Sequence, residues 1–566
     1  MAGDKHNNAD YSSVQETKRL LQMICNRFSN EELSLPKAVL ENLQNVVFTA
    51  RRDLPYFPIP FKETETTAAL KAVEGSVASC LVDLKAQAAR KAAITVNLEK
   101  TTAFLFQTYL ATVGGYGKLE PEAKAYIKDT DLLKAQSNPY RRMSANLYET
   151  KTPGEYYHIH GSLEASQTLD MIGLPPFRDD LKTHDDIVAV IEGAVRKFST
   201  TELEEMNAAR GQAGVPAMKY SDFIKTPHGK INEGALPWSV SSLETMTPAT
   251  PLPQTDPRRP LAGIKVLELC RVIAGPVMGR ILAEYGADVL KVTSPNLSDV
   301  PFFQIDVNMG KHTAELDLKT PEDRKTFEAL LCDVDIVLDG YRPGAIEKLG
   351  YGASKLQEIA QARGKGIVYV NENCFGYQGE WAGRPGWQQI ADCVSGVAWE
   401  QGKFMGLQEP VVPPFPISDY GTGCMGAIAA LVGLYHRTTR GGSWHGKTSL
   451  LQYDLLLFKA GLYPDAVAKM LKDTMEPEFL ALRHAHSVDQ ISGTALRGLK
   501  KHFPEFFSDD KIFEKWFSEK YNAEIVAVRP VVELEGALVE FQRASRPNGS
   551  DSASWDFGIN GDKVIN

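Results

Sequence analysis

The sequence predicts an α/β protein whose main body is a doubly wound, Rossmann-like parallel sheet, accompanied by a smaller helical or α+β domain. Two observations carry this. Strand-like and helix-like segments alternate regularly after residue 261, and a stretch with five prolines and no apolar periodicity, residues 245–260, separates that pattern from a helix-rich first half. Residues 264–269 form an apolar run of strand length. A helical pattern over 277–285 stops at Gly286, and a second strand follows over 288–292. Further helices are expected at 321–331 and 354–361, and further strands at 335–338 and 366–371.

The first half shows long helical stretches at 13–27 and 67–91 and a short strand at 156–160. It echoes the second half. PIPFKETETTAALKAV from Pro58 parallels PFPISDYGTGCMGAIAA from Pro414, and each precedes a helix, a basic turn and a strand-to-helix unit, at Ile94 and at Lys447. Shared element order reads as a diverged internal repeat.

Composition narrows the function. At 566 residues with 43% hydrophobic content the chain can fill several cores, and its net charge of -9 with scattered Lys and Arg offers no face for nucleic acid. The longest apolar stretch, 427–434, is short of the roughly 20 residues of a membrane span. Seven cysteines without a CxxC pair suit a reducing compartment, and the ends show no address signal, so a cytoplasmic location is expected.

Gly441-Gly-Ser-Trp-His-Gly446-Lys447-Thr448 satisfies the Walker A spelling, but a phosphate loop must follow a strand and open a helix, and here the order is reversed. His158 and His160 share one face of a strand without a carboxylate or thiol beside them, so no metal is expected. Asp419 opens an apolar helix among glycines. That is a common capping position, and also one where a carboxylate is kept ionised and accessible as a nucleophile.

From 261 to 463 the chain carries LAGIKVLELCRVIAGP, ILAEYGADVLKV, NMGKHTAELDLKTPE, VDIVLDGYRPGAIEKLG, GYQGEWAGRPGWQQIADCVSG and ISDYGTGCMGAIAALVGLYHRTTRGG. In these landmarks it resembles the family III CoA-transferases, the CaiB/BaiF group, in a long two-half form. The resemblance implies transfer of CoA between carboxylic acids with Asp419 as nucleophile, through an anhydride and an aspartyl-CoA thioester, and Gly421 and Gly423 supply candidate oxyanion N–H groups. It implies CoA contacts at Val272, Ile273, Ala274, Tyr341, Arg342 and Lys348. Acyl-CoA and acids are then substrates, with no tightly bound cofactor. Ile273 and Thr293 depart from the polar and acidic residues usual in the family.

The implied layout is a degenerate half over 1–245, with a small-domain-like segment near 150–240, a linker over 246–260 and a catalytic half over 261–566. Family members interlock as dimers, so a homodimer or an internal pseudo-dimer is expected. In the first half Lys62 and Glu63 match the position of Asp419. Two other functions stay open. An α-methylacyl-CoA racemase is disfavoured because Gly386-Trp387-Gln388 replaces its His-containing motif, and a non-catalytic CoA-binding scaffold is disfavoured by retention of Asp419.

Overall fold

The computed structural model describes residues 11–558 and 560–565. Its largest sheet has seven strands in the order His312–Glu315, Asp288–Thr293, Lys265–Leu269, Ile336–Asp339, Val368–Asn373, Ser443–Ser449, Trp238–Glu244. Six are parallel, and the last, from before the proline-rich stretch, pairs antiparallel with Ser443–Ser449. Ile336–Asp339 is buried at every position, which is why such strands read as unbroken apolar runs: both faces are covered. Val266, Ile336 and Val368 join one core with residues of Ala274–Glu284 and Ile417–Arg440, while Leu267, Val337 and Tyr369 join another with Phe327 and Leu356. Chain order reverses between Lys265–Leu269 and Ile336–Asp339. The crevice beyond the strand ends at such a reversal is where open parallel sheets bind ligands. The helix expected from residue 277 begins earlier, at Ala274, because Pro276 fits a first helical turn.

Segments before and after the proline-rich stretch share three of the four described sheets. Ile94–Asn97 takes Val532–Leu534 as a neighbour, and Thr112–Val113 pairs with Ala523–Val528. Two helices of 24 residues each, Glu63–Ala86 and Ile417–Arg440, pack against one another at the centre. Ile417–Arg440 is long and apolar enough to cross a membrane, yet 94% of its apolar window lies inside the protein. A separate small unit places Ala145–Glu149, Tyr156–His160 and Val215–Pro216 beside helices His184–Val195 and Thr200–Arg210, around Tyr148, Ile159, Ile187 and Leu203. Ser199 and Glu202 close a capping box there. In the Walker-like stretch, helix Ile417–Arg440 precedes the turn and strand Ser443–Ser449 follows it, the reverse of a phosphate loop.

Candidate active site

Asp419, third residue of Ile417–Arg440, faces two adjoining cavities of about 300 and about 120 Å³. Two unusual backbone positions put it there. Phe415 has φ 67° and Val272 has φ 68°, a left-handed conformation that costs a non-glycine residue about 1–3 kcal/mol and is rarest for a β-branched one. Packing holds Phe415: its ring lies 5.9 Å from Phe57, 4.9 Å from Phe106 and 5.2 Å from Tyr109, and its N–H donates to Ser492 Oγ at 2.9 Å. Val272 turns strand Lys265–Leu269 into helix Ala274–Glu284, whose cap residue Ile273 provides no side-chain acceptor. The backbone of Ala274 faces the Asp419 carboxylate and favours its charged form. Two helix N-termini therefore converge on one acid.

Burial pushes Asp419 up to about 8 against the favourable backbone of Ala274, and the charge of Asp454 adds to the rise. Glu372, on the wall of the larger cavity, is also pushed up to about 8, by burial and then by Asp419. Behind the site Ser418 Oγ lies 3.0 Å from Asp392 Oδ1 and 2.8 Å from Asp454 Oδ1. A hydroxyl has one proton to give, so one of these two buried carboxyls is itself protonated. Burial and the neighbouring Asp454 hold Asp392 well above the usual carboxylate range.

Val272 and Ile273 line both cavities, and Ala274, Tyr341 and Arg342 line the larger. Three expected residues sit elsewhere. Lys348 ends the short helix Ala345–Lys348, exposed and on neither wall. Gly421 and Gly423 lie inside the long helix, where backbone N–H groups are committed to the preceding turn. Both serve close packing: a Cβ on Gly421 would lie 1.9 Å from the Tyr453 ring, and one on Gly423 would lie 2.5 Å from Val277 and 2.9 Å from the Ala274 carbonyl. The backbone group that favours charge on Asp419 belongs to Ala274, at the start of the other helix.

Several site residues escaped the sequence reading. Arg271, stacked 5.5 Å over Tyr341, lines the larger cavity beside the exposed Arg342. From the first half, Ser162 and Leu163 line both cavities, and Lys118, Arg142 and His160 line the smaller. The one sequence signal for these was the glycine-containing turn directly after the His158/His160 strand. Those histidines are neutral. Burial pushes His158 down to about 4, with Gln389 3.0 Å away, while His160 stacks on Trp387 at 5.7 Å.

The model of CoA-transferase family III matches residues 261–475. The chain is 32% identical over 518 residues to the acetyl-coenzyme A transferase nodX of Hypoxylon pulicicidum, covering 88% of this chain and 86% of that one. It is 33% identical over 435 residues to an acyl-CoA transferase of Gibberella moniliformis, covering 75% and 76%. A CAIB/BAIF family protein of Brucella suis aligns in structure over 52% of this chain and 97% of its own, with a TM-score of 0.37 and 19% identity.

Proposed function

This chain belongs to CoA-transferase family III, and we propose that it moves CoA from an acyl-CoA donor to a carboxylic acid through covalent intermediates on Asp419. The Asp419 carboxylate attacks the thioester carbonyl, the C–S bond breaks, and a mixed anhydride and CoA thiolate form. The thiolate attacks the aspartyl carbonyl, releasing the donor acid and leaving an aspartyl-CoA thioester. The acceptor carboxylate repeats the exchange in reverse: it displaces thiolate to form a second anhydride, and the thiolate then takes the acceptor acyl group and frees Asp419. Dividing the exchange keeps each step an acyl transfer between good leaving groups. The Ala274 helix N-terminus is placed to receive the developing oxyanions. Arg271 and Arg342 face the larger cavity as phosphate partners for CoA.

One observation carries this reading: Asp419 is the carboxylate common to both cavities, and the backbone at the start of helix Ala274–Glu284 favours its charged form. Incubating the protein with acyl-CoA and trapping with hydroxylamine should label the peptide containing Asp419. Turnover without any label on that peptide would remove the covalent route. A racemase reading has one observation in its favour, His160 on the same small cavity as Asp419. It requires deuterium to enter the acyl α-carbon in D₂O, whereas transfer predicts none.

We read the sheet as doubly wound and Rossmann-like, supported by its 3-2-1-4-5-6 strand order and two covered faces. We read the chain, split at 1–245, 246–260 and 261–566, as an internal pseudo-dimer born of duplication. Each 24-residue helix is followed by a strand whose last residue, Asn97 or Ser449, caps the next helix. Thr64 bonds Thr102 at 2.9 Å as Ser418 bonds Asp454. On this pairing Glu65, rather than Lys62 or Glu63, stands where Asp419 stands.

A further inference from the structure

A cavity of about 480 Å³, where strand Ser443–Ser449 ends and Trp238–Glu244 begins, shares no lining residue with the two at Asp419. Its wall carries Lys447, the lysine of the Walker-like stretch, and Ser239, paired directly opposite it in the antiparallel ladder. Residues so paired stand on one face of the sheet. Among the described residues the Lys447 ammonium meets neither a carboxylate nor a hydrogen-bond acceptor, and it lies 5.2 Å over the Tyr377 ring. The described wall holds no acid at all, and is apolar at Ile231, Leu236 and Pro237. One half-buried cation, an aromatic face and an apolar flank make a pocket for a small organic anion.

A second sheet shows the same corner already filled. Val46–Thr49, Ile94–Asn97 and Val532–Leu534 lie side by side, the first pair parallel and the second antiparallel, as do Val368–Asn373, Ser443–Ser449 and Trp238–Glu244. When the capping residues Asn97 and Ser449 are matched, Thr95 falls on Lys447, and the two registers then put Glu533 on Ser239. A groove of about 1000 Å³ lies at that corner too. On its wall Glu533 Oε1 and Lys100 Nζ pair at 2.6 Å. One corner thus supplies its own carboxylate, whereas in the other a serine stands in that place beside an unmatched lysine.

We propose that the Lys447 corner binds a small monocarboxylate with an apolar body, at a site distinct from that of transfer. The ligand's carboxylate takes the place that Glu533 holds in the other sheet, accepting from the Lys447 ammonium and the Ser239 hydroxyl, and its body lies against Tyr377 and Leu236. A single ammonium matches one negative charge, and the apolar flank rejects an ion that is polar all round.

Hexanoate is the probe, with 1-hexanol and inorganic phosphate as controls, titrated by calorimetry into the full chain in the presence of saturating CoA. Wild type should bind hexanoate saturably and both controls about 10-fold or more weakly. Lys447→Gln should weaken hexanoate by about 10-fold or more, and Lys447→Arg should restore part of it. Ser239→Glu, which installs the carboxylate of the other sheet, should weaken it as much with Lys447 in place, so the test survives if Lys447→Gln does not fold. No saturable hexanoate binding in wild type, or phosphate bound as tightly, overturns the inference. Binding unchanged in Lys447→Gln or in Ser239→Glu overturns it as well, by placing the acid elsewhere. The readout is binding, so the outcome does not depend on the transferase reading.

Discussion

The two central helices carry a carboxylate at the same rank and treat it in opposite ways. Asp419 is the third residue of Ile417–Arg440 and Glu65 the third residue of Glu63–Ala86. Asp419 faces two cavities beside a free helix N-terminus. Glu65 has no exposure and accepts hydrogen bonds from Tyr11 at 2.9 Å, Ser13 at 2.6 Å and Tyr463 at 2.7 Å. The N-terminal helix Ser13–Arg27 lies over that end of the first long helix, so the place where a substrate would enter is filled by protein. The acid proposed as reactive and the buried one differ here by what covers them, although both are carboxylates.

The largest effect should come from the open acid. Asp419→Asn should lower transfer by about three orders of magnitude or more, because an amide cannot form the anhydride, while the melting temperature moves only a few degrees, because Asn matches Asp in shape and burial already disfavours the charge that it removes. In wild type, kcat/KM should rise with pH, pass half its plateau near 8 and level above it, as the carboxyl that burial raises to about 8 becomes anionic. Wild-type-like turnover by the Asn variant would make the two acids equivalent and break the comparison.

Next come the cations that face the open acid's larger cavity. The double variant Arg271→Gln/Arg342→Gln should raise KM for the CoA ester by roughly 10- to 100-fold with a smaller change in kcat, and should flatten the dependence of KM on salt. An unchanged KM would take the phosphates away from this wall.

How much of this was legible in the sequence follows from how each part is built. Buried parallel strands declare themselves as apolar runs, so VLEL and IVLD were readable, and the position of Asp419 at the start of a long apolar helix was readable because its neighbours form one continuous motif. Lys348 was misplaced because a four-residue helix has no periodicity to show which side faces solvent. Gly421 and Gly423 were taken for oxyanion donors because a glycine needed for helix–ring and helix–helix contact is spelled like one needed for ligand approach. Lys118, Arg142 and Ser162 were invisible for another reason: they reach Asp419 from some 250 to 300 residues away, and no local pattern encodes that contact.

The seam between the halves offers an intermediate effect. His484 Nε2 lies 2.8 Å from Glu192 in the first half, and Nδ1 lies 3.3 Å from Glu409 in the second. Burial opposes its charge, yet the two carboxylates, Glu192 by a hydrogen bond and Glu409 as an ion-pair partner, raise it to about 9. Because the folded value exceeds the unfolded one, this stabilisation is complete below about 6.5 and is lost as pH rises through 9. His484→Gln should therefore cost on the order of 3 kcal/mol at pH 6 and little at pH 9.5 by denaturant unfolding. An equal loss at both values would mean the pair contributes packing and not charge.

The smallest effect on activity belongs to the covered acid, and it is the sharpest check on the comparison. Glu65→Gln keeps the shape of the side chain and leaves its three hydroxyl neighbours, which can each turn to donate or accept. Burial raises this carboxyl above its ordinary range, against the hydrogen bonds from Ser13, Tyr463 and Tyr11. A folded-state value above the unfolded one means that stability falls as pH climbs through it, so the charged form is tolerated rather than required. The variant should then unfold within about 1 kcal/mol of wild type at neutral pH, lose the part of the stability gain that acidification gives wild type, and turn over substrate within about 2-fold. A fall in turnover of 10-fold or more with unfolding unchanged would show that the covered end takes part in the chemistry. The two acids would then be partners, and the first half more than a wall of the active site.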